Sequence, residues 1–140
     1  AGTGPDSDIL IEIKNELNLE ANIKMVGWQP NISKLMLEAD LFLHLSLTES
    51  YGQVLLEACL CNLPIFTFPV GIALDLKEAN NPLIHILNNQ SPEVISEEIL
   101  AFLTDSENRL TAKVSPALEV HSNGYIHSAM AAYLTAQCSN

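Results

Sequence analysis

The chain has 140 residues, 48% of them hydrophobic and 16% charged, a balance that suits one globular domain and excludes disordered, collagenous and coiled-coil chains. Its formal net charge of −11, with six Lys and Arg against 17 Asp and Glu, opposes binding to a nucleic-acid backbone or an anionic membrane surface. No apolar run approaches the roughly 18–20 residues needed to cross a bilayer, and Cys59, Cys61 and Cys138, without a histidine pair beside them, read as reduced thiols of a cytoplasmic protein rather than as a metal site.

The chain opens on Gly2-Thr3-Gly4-Pro5, a tight-turn sequence. Such a turn normally follows a strand, so the sequence is expected to start at or just inside a longer domain. A helix follows, with Asp6 or Ser7 able to cap it and Ile9, Leu10, Ile13 and Leu17 forming its apolar stripe. Residues 23–26 read as a short strand ending at Gly27-Trp28. A helix is expected over 32–39, with Ile32, Leu35, Met36 and Ala39 inward. Residues 41–47 (LFLHLSL) are nearly all apolar, the pattern of a strand buried in a parallel sheet. On that strand Leu41, Leu43, Leu45 and Leu47 share one side, and Phe42, His44 and Ser46 the other. A helix over 51–61, a strand over 65–68, a short helix to 79 and a strand over 83–87 come next. Ser91-Pro92 then starts a helix with the stripe Val94, Ile95, Ile99, Phe102 and Leu103. Further helices are expected over about 108–136. Strands alternating with helices on short links predict an α/β fold with a doubly wound parallel sheet.

The stretch Ser46-Leu47-Thr48-Glu49-Ser50-Tyr51-Gly52-Gln53-Val54-Leu55-Leu56-Glu57 joins a strand to a helix. In open α/β sheets ligands bind just beyond the carboxyl ends of the strands, so this loop is a candidate site by position. Ser50 with Gln53 forms a capping-box pattern that predicts a helix start near Tyr51. Gly52 allows a ligand to approach the backbone closely, and the positive end of the helix favours an anion such as a diphosphate. Glu57 lies in a helix that is apolar nearly all round. A carboxylate there needs partners, which sugar hydroxyls, solvent or a backbone amide can each supply.

Glu49, seven intervening residues and Glu57, with Ser-Tyr-Gly directly after the first Glu, resemble the E-x7-E signature of retaining GT-B glycosyltransferases, and more narrowly that of the group 1 (family 4) enzymes. The resemblance runs from about Gly2 to Asp105. It takes in the turn at Gly2–Pro5, the strand ending in Gly27, Glu38-Ala39-Asp40-Leu41-Phe42, Ser46, Glu57-Ala58, Leu63-Pro64-Ile65, Val70-Gly71 and Thr104-Asp105. It implies that residues 1–140 form a Rossmann-like donor domain, the C-terminal half of a GT-B enzyme. That domain would bind a UDP- or GDP-sugar for retaining transfer to an acceptor held by a separate N-terminal domain. Alone it would be inactive, and no metal or other cofactor would be needed. Glu49 would be the catalytic-centre residue that holds the donor sugar. Ser50, Tyr51, Gly52 and Gln53 would face the sugar and diphosphate, Glu57 the ribose, and Gly27 and Trp28 the base. The Arg and Lys that bind phosphate in the family would precede Ala1.

The chain departs from the family pattern at four places. Asn62 stands where Gly is usual, a change that Asn tolerates because it can adopt the left-handed conformation. Ile72 replaces a second Gly, Asp75 replaces Glu, and residues 80–83 lack the usual Gly-rich sequence. His44 and His85 read as hydrogen-bonded histidines of the core or crevice edge, with donor contact as the alternative for His44. His121 and His127 read as exposed. Glu93, Glu97 and Glu98 read as a solvated helix face. Tyr125, Ile126, Met130, Tyr133 and Leu134 read as a packing stripe in the tail. The competing assignments are another GT-B enzyme, such as a sugar-nucleotide epimerase or a glycogen-synthase-like enzyme, and an α/β interaction domain without chemistry.

Overall fold

A computed structural model describes residues 2–105. The expectations for the tail, including His121, His127, Cys138 and the stripe from Tyr125 to Leu134, fall outside those residues. The chain divides into two compact units, residues 1–32 and residues 33 onward.

In the first unit, helix α1 (Ser7–Glu16) begins where the turn chemistry places it. The Ser7 amide donates to the Gly4 carbonyl (3.2 Å), and the Ser7 hydroxyl donates to the same oxygen (2.8 Å) and accepts from the Gly4 amide. No side chain caps the helix: Asp6 holds the N-cap position without a cap hydrogen bond. The stripe Ile9, Leu10, Ile13 and Leu17 is exposed along its length, and α1 has no buried residue. Residues 23–26 form no strand, contrary to expectation. A strand requires a neighbour to exchange backbone hydrogen bonds with, and no ladder partner for this segment occurs among the described residues. Its end is tied instead by bonds from the Gly2 amide to the Gly27 carbonyl, at 2.6 Å, and from the Gln29 side-chain amide to the Val26 carbonyl.

The second unit carries the sheet. Helix α2 (Ile32–Glu38) buries Met36 and Ser33, while Ala39, expected inward, is exposed. Strand β1 (Phe42–His44) leads through helix α3 (Gln53–Leu60) to strand β2 (Ile65–Thr67). Helix α4 (Ala73–Glu78) then leads to strand β3 (Ile84–Ile86), followed by helix α5 (Pro92–Thr104). The three strands pair in parallel in the order β1-β2-β3, with His44 opposite Thr67 and Phe66 opposite His85. Each strand is shorter than its apolar run.

Helices cover both faces of the sheet. On one face α5 buries Ile95 against Phe66, Phe68 and Leu87, with Ile99 and Phe102 packed alongside. The Phe66 and His85 rings stack at 4.6 Å, and Phe102 meets both edge-on at 5.3 and 4.9 Å. Among the described residues His85 Nε2 has no hydrogen-bond partner, and the ring makes aromatic contacts; burial, with Lys77 nearby, holds its pKa below the usual imidazole range. On the other face α3 and α4 contact β2 and β3, bringing Leu55, Leu56, Ala58, Ala73 and Leu76 into the interior. Each large side chain buried in this way contributes about 1.5–3 kcal/mol. The fold is thus the expected α/β class with parallel strands.

The run through β1 is the exception to the expected burial. Leu43 of β1, and Leu45 and Leu47 beyond its end, are 41%, 46% and 61% exposed; β1 is the edge of the described sheet and α5 sits over β2 and β3. Asn62, at the end of α3, has φ +53, the left-handed conformation its sequence position predicted. Ser91 takes the N-cap position of α5 with Pro92 at the first helical position, but its hydroxyl donates to the Glu93 carboxylate rather than capping the backbone.

Cys59 and Cys61 are free and half-buried. Burial pushes the Cys59 thiol from 9.0 up to about 11, offset in part by the Asn81 amide that donates to its sulfur at 3.6 Å. The raised value means that the unfolded chain loses this proton first. The stabilisation from the neutral thiol is therefore full below pH 9 and is lost as pH rises through about 11. At pH 8 Cys59 is expected to react with iodoacetamide about a hundredfold more slowly in the folded chain than in urea, read by peptide mass mapping. Equal rates would contradict the burial.

Candidate functional site

The carboxyl ends of β1 and β2 lie side by side, since the strands are parallel and in register. Two connections leave that edge: residues 45–52, which carry Glu49 into α3, and residues 68–72, which lead into α4. They are fastened to each other. The Ile72 amide donates to the Tyr51 carbonyl at 2.8 Å, and the Leu55 amide closes the first turn of α3 onto the Gly52 carbonyl at 2.9 Å.

Helix α3 does not start at Tyr51 as the capping box predicted. It starts at Gln53, with Gly52 at the N-cap and no side-chain cap bond. The reason is conformational. Gly52 has φ +85, a left-handed value that side-chain-bearing residues rarely adopt, and it turns the chain sharply into the helix. Ser50 lies before that turn and so cannot cap the helix. Gly52 itself is buried, while Ser50, Tyr51 and Gln53 are exposed. The positive end of the helix dipole accordingly sits at Gly52 and Gln53.

Glu49 is held by a polar chain rooted in the sheet. Its Oε1 accepts from His44 Nε2 at 3.2 Å. His44 Nδ1 lies 3.2 Å from the hydroxyl of Thr67, its register partner on β2. Thr67 is fully buried, and its hydroxyl also reaches the Phe68 carbonyl at 3.1 Å. The His44 side chain is 10% exposed and that of Glu49 30%. The carboxylate is thus fixed from beneath and open above.

Glu57 lies one helical turn beyond Gln53, so the two share a face of α3. It is half-buried rather than enclosed. Its charge is felt by Cys61, whose thiol is raised mainly by burial and further by the Glu57 carboxylate. Gly27 and Trp28 belong to the first unit. Gly27 has φ +62 and lines a shallow pocket of about 420 Å³ with Gly2, Thr3 and Gly4. Trp28 is 70% exposed.

The sequence singles out Glu49 as a candidate but does not show its link to His44 and Thr67. The signal was present: Thr67 is the single polar residue in Ile65-Phe66-Thr67-Phe68, and alternation puts His44 on the same side as Ser46. Ile72, a departure from the family pattern, is 5% exposed and acts as a core residue, while Asp75 is exposed. Among the described residues no cluster of three or more His, Cys, Asp or Glu could hold a metal ion, and no helix is long and apolar enough to cross a membrane.

Residues 1–114 match the family model of the group 1 glycosyl transferases. The chain is 37% identical over 70 residues to the N-acetyl-alpha-D-glucosaminyl L-malate synthase of Bacillus anthracis, covering 50% of this chain and 18% of that protein. It is 28% identical over 115 residues to the phosphatidylinositol N-acetylglucosaminyltransferase GPI3 subunit of Saccharomyces cerevisiae, covering 69% of this chain and 25% of that one. With the lipopolysaccharide glucosyltransferase WaaG of Escherichia coli it shares 33% over 99 residues, 70% of this chain and 26% of the relative. The chain therefore spans a quarter or less of the length of most of these relatives.

Proposed function

The chain belongs to the group 1 glycosyltransferases, and we propose that it forms the nucleotide-sugar site of such an enzyme, serving retaining transfer from a UDP- or GDP-sugar. The observation that carries this reading is the placement of Glu49. It projects from the carboxyl edge of a parallel sheet, where open α/β folds bind ligands. A hydrogen-bonded histidine orients it, and it lies three residues before the N-cap of α3.

The chemistry follows from what each group can accept or donate. A carboxylate with one oxygen held by His44 has lone pairs left for the hydroxyls of a sugar. The amino end of α3 at Gly52 and Gln53 favours the diphosphate, whose charge grows as the glycosidic bond to phosphate breaks. Glu57, one turn along the same helix face as Gln53, suits the paired hydroxyls of a ribose. Gly27 and Trp28 are assigned to the base from the family resemblance. Two of the relatives named above are N-acetylglucosaminyl enzymes and one is a glucosyltransferase, which makes UDP-N-acetylglucosamine and UDP-glucose the first donors to try. The acceptor and its binding domain are assigned to the remainder of a GT-B enzyme, and the working compartment to the cytoplasm.

With a net charge of −11, the chain supplies little cationic help to the diphosphate. Affinity of the 140-residue chain for UDP or GDP is therefore expected near about 1 mM. Titration followed by heteronuclear NMR tests the reading. Saturable binding of one nucleotide, weakened about tenfold or more in Glu57→Ala, is expected from the loss of charged hydrogen bonds. No saturable binding of either nucleotide, or an unchanged affinity in the variant, would favour an α/β interaction domain without chemistry.

A further inference from the structure

We infer that His44 is a positioning residue for donor binding: by linking Glu49 to the buried Thr67 of β2 it presets the carboxylate that receives the sugar, without itself touching the donor. The inference rests on the assignment of Glu49 to the donor sugar. Glu49 lies in a loop, five residues beyond His44, and is exposed as a residue. An unrestrained Glu side chain has three rotatable bonds and loses that freedom on engaging a ligand. A ligand group already held in place avoids the loss, which is the energetic value of preorganisation.

The geometry provides that restraint at every link. A carboxylate only accepts, so Nε2 of His44 carries the hydrogen that bonds Glu49 at 3.2 Å. The other ring nitrogen meets the Thr67 hydroxyl at 3.2 Å, and Thr67 is wholly buried in the central strand. The connection closes with either form of the ring. In the neutral imidazole the Thr67 hydroxyl donates to Nδ1. In the imidazolium Nδ1–H donates to Thr67, whose hydroxyl then turns to the Phe68 carbonyl at 3.1 Å. His44 is itself only 10% exposed and lies beside the Phe42 ring, with centroids 6.0 Å apart. A residue this enclosed meets a ligand poorly but can fix a neighbour well.

The test compares sugar-nucleotide and bare nucleotide on the same 140-residue chain. The probes are UDP-N-acetylglucosamine, UDP-glucose and GDP-mannose, each set against UDP or GDP. The variants are His44→Ala, His44→Gln, Glu49→Ala and the double His44→Ala/Glu49→Ala, with circular dichroism verifying that each is folded. His44→Ala is expected to weaken the preferred sugar-nucleotide about tenfold while leaving the bare nucleotide within about twofold. His44→Gln, whose amide can stand where Nε2 stood, is expected to recover most of the loss. The double variant should be no weaker than Glu49→Ala alone, since both changes disable one interaction. An equal loss for bare nucleotide would mark a general structural role and overturn the inference. So would a loss in Glu49→Ala with none in His44→Ala, which would leave the assignment of Glu49 standing. No effect in Glu49→Ala would overturn that assignment, and this inference with it.

Discussion

If Glu49 holds the donor sugar as proposed, replacing it by Ala is expected to lower kcat/KM for sugar transfer by about 100-fold or more, since a carboxylate receiving two sugar hydroxyls contributes two charge-assisted hydrogen bonds of roughly 1.5–3 kcal/mol each. The fold should survive the change. Among the described residues Glu49 bonds to His44, at a side chain 30% exposed, and partly exposed polar contacts of this kind are worth about 1 kcal/mol or less. Activity and stability are therefore expected to separate. Steady-state transfer assays, together with urea unfolding of the variant, check both halves. A fall in kcat/KM of less than about tenfold would remove Glu49 from the donor site.

The second large effect concerns stability. Gly71→Ala is expected to destabilise the second unit by about 2–4 kcal/mol, because it combines a disfavoured backbone conformation with a backbone clash. Gly71 has φ +53. A methyl group built there would stand 2.7 Å from the Tyr51 carbonyl carbon and 3.1 Å from the Gly52 amide nitrogen. Neither neighbour can yield easily, since the Tyr51 carbonyl already accepts the Ile72 amide. The change would force apart the two connections at the carboxyl edge of the sheet, and so should also weaken donor binding. A Gly52→Ala change meets the softer Leu55 side chain, at 3.2 Å, and should cost less. Urea unfolding followed by circular dichroism measures the difference. A loss below about 0.5 kcal/mol would show that the clasp between the two connections is not tight.

The parts of this architecture that sequence could reveal are those governed by local rules. The order of α3, β2, α4, β3 and α5 follows from apolar periodicity and turn residues, and of the expected stripe Ile95, Ile99 and Phe102 pack into the core while Val94 and Leu103 are half-buried. Asn62 could be assigned a left-handed conformation because few residue types accept one. The misreadings share a cause: each depended on a partner that the local pattern does not name. Residues 23–26 have the composition of a strand but no ladder neighbour among the described residues. The leucines of β1 alternate as in a buried strand, yet the edge position leaves Leu43 exposed. Ser50 and Gln53 satisfy the capping-box spacing, but the turn at Gly52 moves the helix start past them.

The candidate site divides along the same line. The loop with Gly52 could be singled out by its place between strand and helix, Glu57 as a lone carboxylate in an apolar helix, and Glu49 by the family resemblance. The tie from Thr67 through His44 to Glu49 joins two strands and one loop, with Thr67 23 residues from His44 in the chain. It depends on the parallel register that sets His44 opposite Thr67, and no residue-by-residue reading supplies that register.

The most direct measurement is a crystal structure of this chain with UDP-N-acetylglucosamine or UDP-glucose bound. The Glu49 carboxylate should lie within about 2.5–3.2 Å of a sugar hydroxyl while keeping its bond to His44, and Glu57 should accept from the ribose hydroxyls. A donor seated elsewhere, with neither carboxylate in reach of it, would contradict the account.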